Sequence, residues 1–223
     1  MAGYAQTYAE GHRTRDFPPL PPLLIHRYVD EVDEGGCTAL MRAAASGSAR
    51  VVSLLHERGA RLTTPRHDGM TPLMLAARPG HKRVVHELLK LLDAESINAQ
   101  RPKDGATALL LACRNGEEEV ALMLMQRGAA LEHSSTDIYG ETALLAACRV
   151  GEAAIASNLL AFGASPHPVN AAGMTAFALA KQAFDIVETQ TEDLGRMRIT
   201  ASELLSKLSP PLDPQARSQA SRQ

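Results

Sequence analysis

A nine-residue segment that begins with glycine recurs five times along the 223-residue chain, and this repetition limits the fold more than any other feature. The copies read GCTALMRAA from Gly36, GMTPLMLAA from Gly69, GATALLLAC from Gly105, GETALLAAC from Gly140 and GMTAFALAK from Gly173. Their first glycines are about 33 to 36 residues apart, a period typical of solenoids. Each unit of a solenoid packs only on its neighbours, so we expect one continuous stack of units.

Each copy predicts a helix–turn–helix unit. A threonine follows the first glycine by two positions, where its hydroxyl can accept an unpaired backbone N–H at a helix N-terminus. Leucine and alanine then recur at helical spacing, and a further glycine permits a tight turn in the first four copies. A second amphipathic segment follows, such as Val84-Val85 with Leu88-Leu89. The threonines are Thr38, Thr71, Thr107, Thr142 and Thr175, and the turn glycines are Gly47, Gly80, Gly116 and Gly151.

The period and these residues resemble the ankyrin repeat, over about residues 33–208. The resemblance implies an all-α solenoid of five repeats, each formed by two antiparallel helices and an extended loop. The histidine of the family signature is replaced in every copy, by Met41, Met74, Leu110, Leu145 or Ala178.

Two repeats depart from the pattern. In the second repeat, Leu91-Leu92-Asp93-Ala94 stands where a glycine cap is expected, which predicts a longer second helix. The loops from Ile97 to Gly105 and from Leu131 to Gly140 are also expected to be long. In the fifth repeat, Phe184 replaces the turn glycine, so we expect a longer first helix, a loop near residues 189–195 and a final helix near residues 196–208.

The two ends of the chain differ from the repeats. Residues 1–22 end in a proline-rich stretch and are predicted to form an extended arm. Apolar residues at helical spacing between Leu24 and Val32 predict an N-terminal helix that caps the first repeat, so the predicted repeat domain is 23–208. Residues 209–223 are polar and proline-rich, which predicts a disordered tail.

The proline-rich arm contains two patterns found in peptide ligands. The run Phe17, Pro18, Pro19, Leu20 and Pro21 resembles the ligands of EVH1 domains. Residues 15–21 also match an SH3 ligand, with prolines three positions apart, and both classes dock a polyproline helix in an aromatic groove. The alternative is that this stretch is a rigid lead-in that lies along the first helices.

The resemblance implies protein recognition through the concave face and the loop tips. Arg78, Arg114 and Arg149 occupy one position in successive first helices, which stack roughly 8–10 Å apart. We hypothesise that this row binds an acidic segment of a partner, because guanidinium groups offer forked donors to carboxylates. The alternative is that the position is simply exposed to solvent. The neighbouring loops add Arg66, His67, Arg101 and Lys103 to this candidate surface.

The fourth repeat has an unusual loop, in which Ile138 and Tyr139 precede Gly140. Apolar side chains at a loop tip are candidate contacts for a partner. Met70 and Met174 occupy the place of Glu141 in other loops, and Met70 is therefore a further candidate. The alternative is that these side chains pack one loop on the next.

Charge and composition argue against several other classes of function. Lys and Arg total 23 against 25 Asp and Glu, without the basic excess of a nucleic-acid-binding protein. No run of about 18 apolar residues predicts a membrane span, and the first residues lack the apolar core of a secretory signal. His81 and His86 are not spaced as a helical zinc pair, and no motif for a catalytic nucleophile or a phosphate loop occurs. We therefore expect no enzyme activity, metal or cofactor.

Two functions remain open from the sequence. The first is an adaptor, scaffold or inhibitor that binds a protein partner through the concave face. The second is a fixed structural subunit of a large assembly, such as a cytoskeletal or axonemal complex, held by the N-terminal arm. Three cysteines do not predict a disulfide framework and indicate a reducing compartment, so we expect a cytoplasmic protein, with nuclear or cytoskeletal sites left open. Cys113 and Cys148 are predicted to be small buried residues.

Overall fold

The computed structural model describes residues 29–188 and 204–209. Within these residues the fold is all-α, and the only β-structure consists of isolated bridges such as Val32 with Thr38. The helices are α1 (Ala39–Ala45), α2 (Ala49–Glu57), α3 (Pro72–Ala77), α4 (Lys82–Leu91), α5 (Ala94–Ile97), α6 (Ala108–Arg114), α7 (Glu118–Gln126), α8 (Ala143–Val150), α9 (Ala153–Ala161) and α10 (Ala176–Glu188). Residues 204–208 are also helical.

The repeated threonines begin the first helix of each repeat, as predicted. The hydroxyl of Thr38 accepts the Met41 N–H at 3.2 Å, and Thr107 accepts the Leu110 N–H at the same distance. Thr71 and Thr142 make the equivalent bonds. Each bond satisfies a backbone donor that the helix leaves unpaired, so the helix starts are set by local sequence.

The helices stack in two rows. The first helices of the repeats, α1, α3, α6, α8 and α10, contact each other in that order, and the second helices, α2, α4, α7 and α9, form the other row. Leucine, alanine, valine and methionine fill the core between the rows. Cys113 and Cys148 are free and buried there, as predicted, and burial raises the pKa of each thiol to about 12.

The second repeat has the longer second helix that is predicted, but the difference is small. Its second helix, α4, ends at Leu91 and is only one residue longer than α2, α7 and α9. The carboxylate of Asp93 then accepts the Ser96 N–H at 2.8 Å and begins the separate short helix α5. A good N-cap residue inside the inserted segment therefore starts a new helix instead of extending the old one. A cleft of about 280 Å³ opens beside this insertion, between Leu62, Leu73 and Leu92.

The ends of the array confirm one prediction and correct another. Helix α10 has 13 residues, so the fifth repeat does begin with a longer helix. Val29 and Asp30 form a turn and Val32 forms a β-bridge, so the predicted capping helix does not include these residues. The rest of that helix, the arm with Phe17, Pro18, Leu20 and Pro21, and the tail from residue 210 lie outside the described residues.

Candidate protein-binding surface

The loops between repeats contact one another along one edge of the stack. The His67 ring packs closely on Gly36, and the Pro102 ring packs so closely on Gly69 that a Cβ there would overlap it. The Thr136 N–H donates to the Asp104 carbonyl at 2.8 Å, and the Ala171 N–H donates to the Tyr139 carbonyl at 2.9 Å. Five loop tips are therefore joined into one continuous edge, which we call the loop edge (residues 33–37, 66–70, 101–106, 135–141 and 170–174).

Two arginines proposed as partner contacts are paired within their own loops. Arg66 forms an ion pair with Asp68, and Arg101 forms one with Asp104. The Arg66 guanidinium holds the pKa of the Asp68 carboxyl at about 2, and Arg101 likewise lowers the pKa of Asp104. These pairs fix the loops in shape and neutralise much of their charge.

Met70 corrects the sequence-based site. Its side chain is 1% exposed, and its sulfur lies 3.4 Å from an Arg101 guanidinium nitrogen. An apolar residue directly after the loop glycine points into the stack, as Ala106 also does. Met70 is therefore a core residue of the loop edge and offers no surface to a partner.

Arg114 and Arg149 meet on one buried carboxylate. The Arg149 Nε donates to Glu141 Oε1 at 2.6 Å, and Arg114 Nε lies 3.4 Å from Glu141 Oε2. Glu141 is completely buried, and its hydrogen bond raises the pKa of Arg149. The three side chains bridge α6, α8 and the loop between them.

Asp137 completes this network from the loop side. Its carboxylate forms a 2.8 Å ion pair with Arg114 and accepts the Tyr139 N–H at 3.0 Å. Burial raises the pKa of Asp137, but hydrogen bonds from Ser135 and Arg114 outweigh burial and the net pKa is lowered. The loop is thus held in one conformation by charge-assisted hydrogen bonds.

Ile138 and Tyr139 lie at the tip of this loop. The Ile138 side chain is 84% exposed and Tyr139 is 47% exposed. The Tyr139 ring lies over both guanidinium groups, with its centroid 5.8 Å from Arg114 Cζ and 5.2 Å from Arg149 Cζ. Such cation–π contacts fix the ring, so Tyr139 both packs on its own protein and presents an apolar edge to solvent.

Arg78 differs from the other two arginines of the predicted row. It is exposed at the end of α3, and among the described residues we find no ion pair for it. Lys103, at the tip of the neighbouring loop, is exposed and has no ion pair within the same residues. Within the described residues, the row therefore consists of one arginine without an ion pair and two arginines held by internal carboxylates, a pairing that sequence position alone could not predict.

His81 links the first two repeats. The His81 ring contacts Gly47, and its Nε2 lies 2.9 Å from the Ala45 carbonyl oxygen, which joins the first two repeats. Across residues 29–188 and 204–209, no three histidine, cysteine or acidic side chains are grouped as metal ligands. In the same residues we find no helix with the length and apolarity that crossing a lipid bilayer requires.

Comparison with known families agrees with the repeat geometry. A family model for ankyrin repeats, in three copies, matches residues 40–135, and a model for a single ankyrin repeat matches residues 139–171. Together these matches cover more than half of the chain.

Several curated proteins are similar in sequence to part of this chain, and some of them are named as ankyrin repeat proteins. The chain is 41% identical over 91 residues to the ankyrin repeat and KH domain-containing protein mask-1 of Caenorhabditis elegans, covering 41% of this chain and 3% of the relative. It is 40% identical over 103 residues to the human ankyrin repeat and KH domain-containing protein 1, covering 46% and 4%. It is 36% identical over 100 residues to alpha-latrotoxin-Lhe1a of Latrodectus hesperus, covering 44% and 7%. The chain spans less than a tenth of each of these relatives.

The family models, the threonine caps and the two rows of helices lead to the same assignment. Ankyrin repeats are protein–protein interaction modules, and the family is generally non-catalytic. The chain belongs to the ankyrin repeat family.

Proposed function

We propose that this protein is a non-catalytic adaptor, scaffold or inhibitor that binds a partner protein along its loop edge and first-helix row. The observation that carries the proposal is the bonding of one loop to the next, from Thr136 to Asp104 and from Ala171 to Tyr139. A surface that is already ordered loses little conformational entropy when a partner binds.

The partner segment that fits this surface best is acidic. Lys103 on the loop edge and Arg78 at the end of α3 supply the positive charge of this surface, while Arg114 and Arg149 are engaged by Asp137 and Glu141. Exposed charges of this kind act through solvent, so binding should weaken as salt concentration rises.

Free, buried Cys113 and Cys148 suit a reducing compartment, and we propose that the protein is cytoplasmic.

Site-specific photo-crosslinking in the source cells tests this proposal. A photoreactive amino acid replaces Lys103 on the loop edge in one variant and Lys90 on α4 in a matched control, because both lysines are exposed. We expect a discrete cross-linked partner at position 103 and none at position 90, with less product in high salt.

Two results would contradict the proposal. Equal adducts from both positions would mean that binding does not use the loop edge. Retention of the protein in a very large particle despite high salt would favour a fixed structural subunit instead.

A further inference from the structure

We infer that Ile138 and Tyr139 are the central contact of the loop edge, and that the partner segment they bind has an aliphatic side chain next to a carboxylate. This inference rests on the proposed function and names the chemistry of the partner. It follows from the rigidity of the tip, the exposure of Ile138 and the charges that surround it.

The tip is rigid before any partner arrives. Asp137 accepts the backbone N–H groups of Tyr139 and Gly140, at 3.0 and 3.2 Å, and the Tyr139 carbonyl accepts the Ala171 N–H. The Tyr139 ring rests on the two guanidinium groups that Glu141 holds. Because both the backbone and the neighbouring ring are fixed, Ile138 stays directed away from the core.

Ile138 is the large apolar side chain with the greatest exposure among the described residues. Its neighbour Tyr139 adds the edge of an aromatic ring, and the two form a small apolar patch on a polar rim. Covering such a patch with an aliphatic side chain removes apolar surface from water and favours binding. Tyrosine is frequent among the residues that dominate binding energy.

The charges around the patch favour a partner segment in which a carboxylate lies next to the aliphatic side chain. The carboxylates beside it are matched internally, Asp104 by Arg101 and Asp137 and Glu141 by Arg114 and Arg149. The preceding loop, bonded to this one through Thr136 and Asp104, carries Lys103, which forms no ion pair within the described residues. A carboxylate that lies beside the aliphatic group would be complementary to Lys103, whereas a basic group would be repelled.

Selection from a random peptide library tests the inference on the full chain. Twelve-residue peptides are displayed, selected on the immobilised protein, and measured with a fluorescent label against wild type and variants. We expect enriched peptides to contain Leu, Ile or Val next to Asp or Glu. Ile138→Ser should weaken their binding at least about tenfold, the threshold of a substantial interface contribution.

Two further variants separate the roles of charge and apolar surface. Lys103→Glu should weaken binding, and a peptide whose carboxylate is replaced by lysine should bind this variant better than it binds wild type. Val169→Ser is the matched control, because Val169 is 57% exposed in the next repeat and should leave binding unchanged. Urea unfolding of each variant checks that the repeats remain folded.

The outcomes distinguish this inference from the proposed function. Peptides that bind the loop edge but are insensitive to Ile138→Ser and Lys103→Glu would overturn the inference and leave the proposed function standing. Enriched peptides whose binding no substitution on the loop edge changes, or the absence of any enriched peptide, would contradict both.

Discussion

Glu141 is buried between two arginines, whereas Met70 at the matching position of the second repeat is apolar. A buried carboxylate is costly unless it is paired, and neutralising Glu141 removes the negative partner of the Arg149 hydrogen bond and of the Arg114 ion pair. We predict that Glu141→Gln lowers the free energy of unfolding by about 3 kcal/mol. Urea denaturation followed by circular dichroism measures the change.

An exposed ion pair provides the control for this substitution. Glu119 pairs with Lys82 at 2.8 Å, but their side chains are 71% and 59% exposed. Glu119→Gln should therefore cost less than about 1 kcal/mol, as is usual for surface pairs. Equal losses for the two variants would mean that burial of Glu141 contributes nothing to its effect.

Asp68 makes the stability of the second loop depend on pH. Its pKa is about 2 in the folded protein, below the ordinary value of 3.8. Ionised Asp68 therefore stabilises the fold fully at pH values well above 3.8. This contribution is lost as the pH falls towards 2. We predict that wild type exceeds Asp68→Asn in unfolding free energy at neutral pH and that the difference shrinks below about pH 4. A difference that remains constant down to pH 2, in urea titrations at each pH, would contradict this.

At the scale of the element, the sequence predicts the features that local hydrogen bonds determine, such as the helix starts. Thr38, Thr71 and Thr107 mark helix starts because their hydroxyls bond backbone groups three residues away. The short helix α5 was missed because the apolar pattern through Leu92 masks the capping role of Asp93. The pairing at Glu141 could not be predicted either, because its arginines come from two different helices. An acidic residue at a position where the other repeats have Cys37, Met70, Ala106 and Met174 is the available signal.

Sequence patterns also do not predict contacts between loops. Two glycines allow the contribution of one such contact to stability to be measured. Gly69 and Gly128 both have positive φ, at 82° and 80°, but a Cβ at Gly69 would overlap Pro102 while a Cβ at Gly128 would meet nothing within 4 Å. Gly128→Ala should cost about 1 kcal/mol from backbone strain. We predict a larger loss for Gly69→Ala, measured as a lower urea midpoint. Equal losses would show that the second and third loops move apart at no cost.

At the scale of the whole molecule, stability depends on the number of repeats that remain stacked. In the part of the chain that the structure describes, the first helices pack on the second helices of their own repeats and on the first helices of adjacent repeats, so a disruptive substitution in one repeat also weakens its neighbours. A lesion in the third repeat leaves two repeats on either side, fewer than the roughly three that a solenoid needs to be stable. A lesion in the first repeat leaves the others in one stack.

Leu111 and Leu40 allow this difference to be tested, because both are buried in first helices, α6 and α1. Aspartate at either position places a charge in the core, which disrupts that repeat. We predict that Leu111→Asp loses most of the helical circular dichroism of wild type, whereas Leu40→Asp keeps most of it and unfolds in a separate, later transition. If Leu111→Asp instead retains about half of the signal, the two halves of the array must fold independently, and the loop edge would not be one cooperative surface.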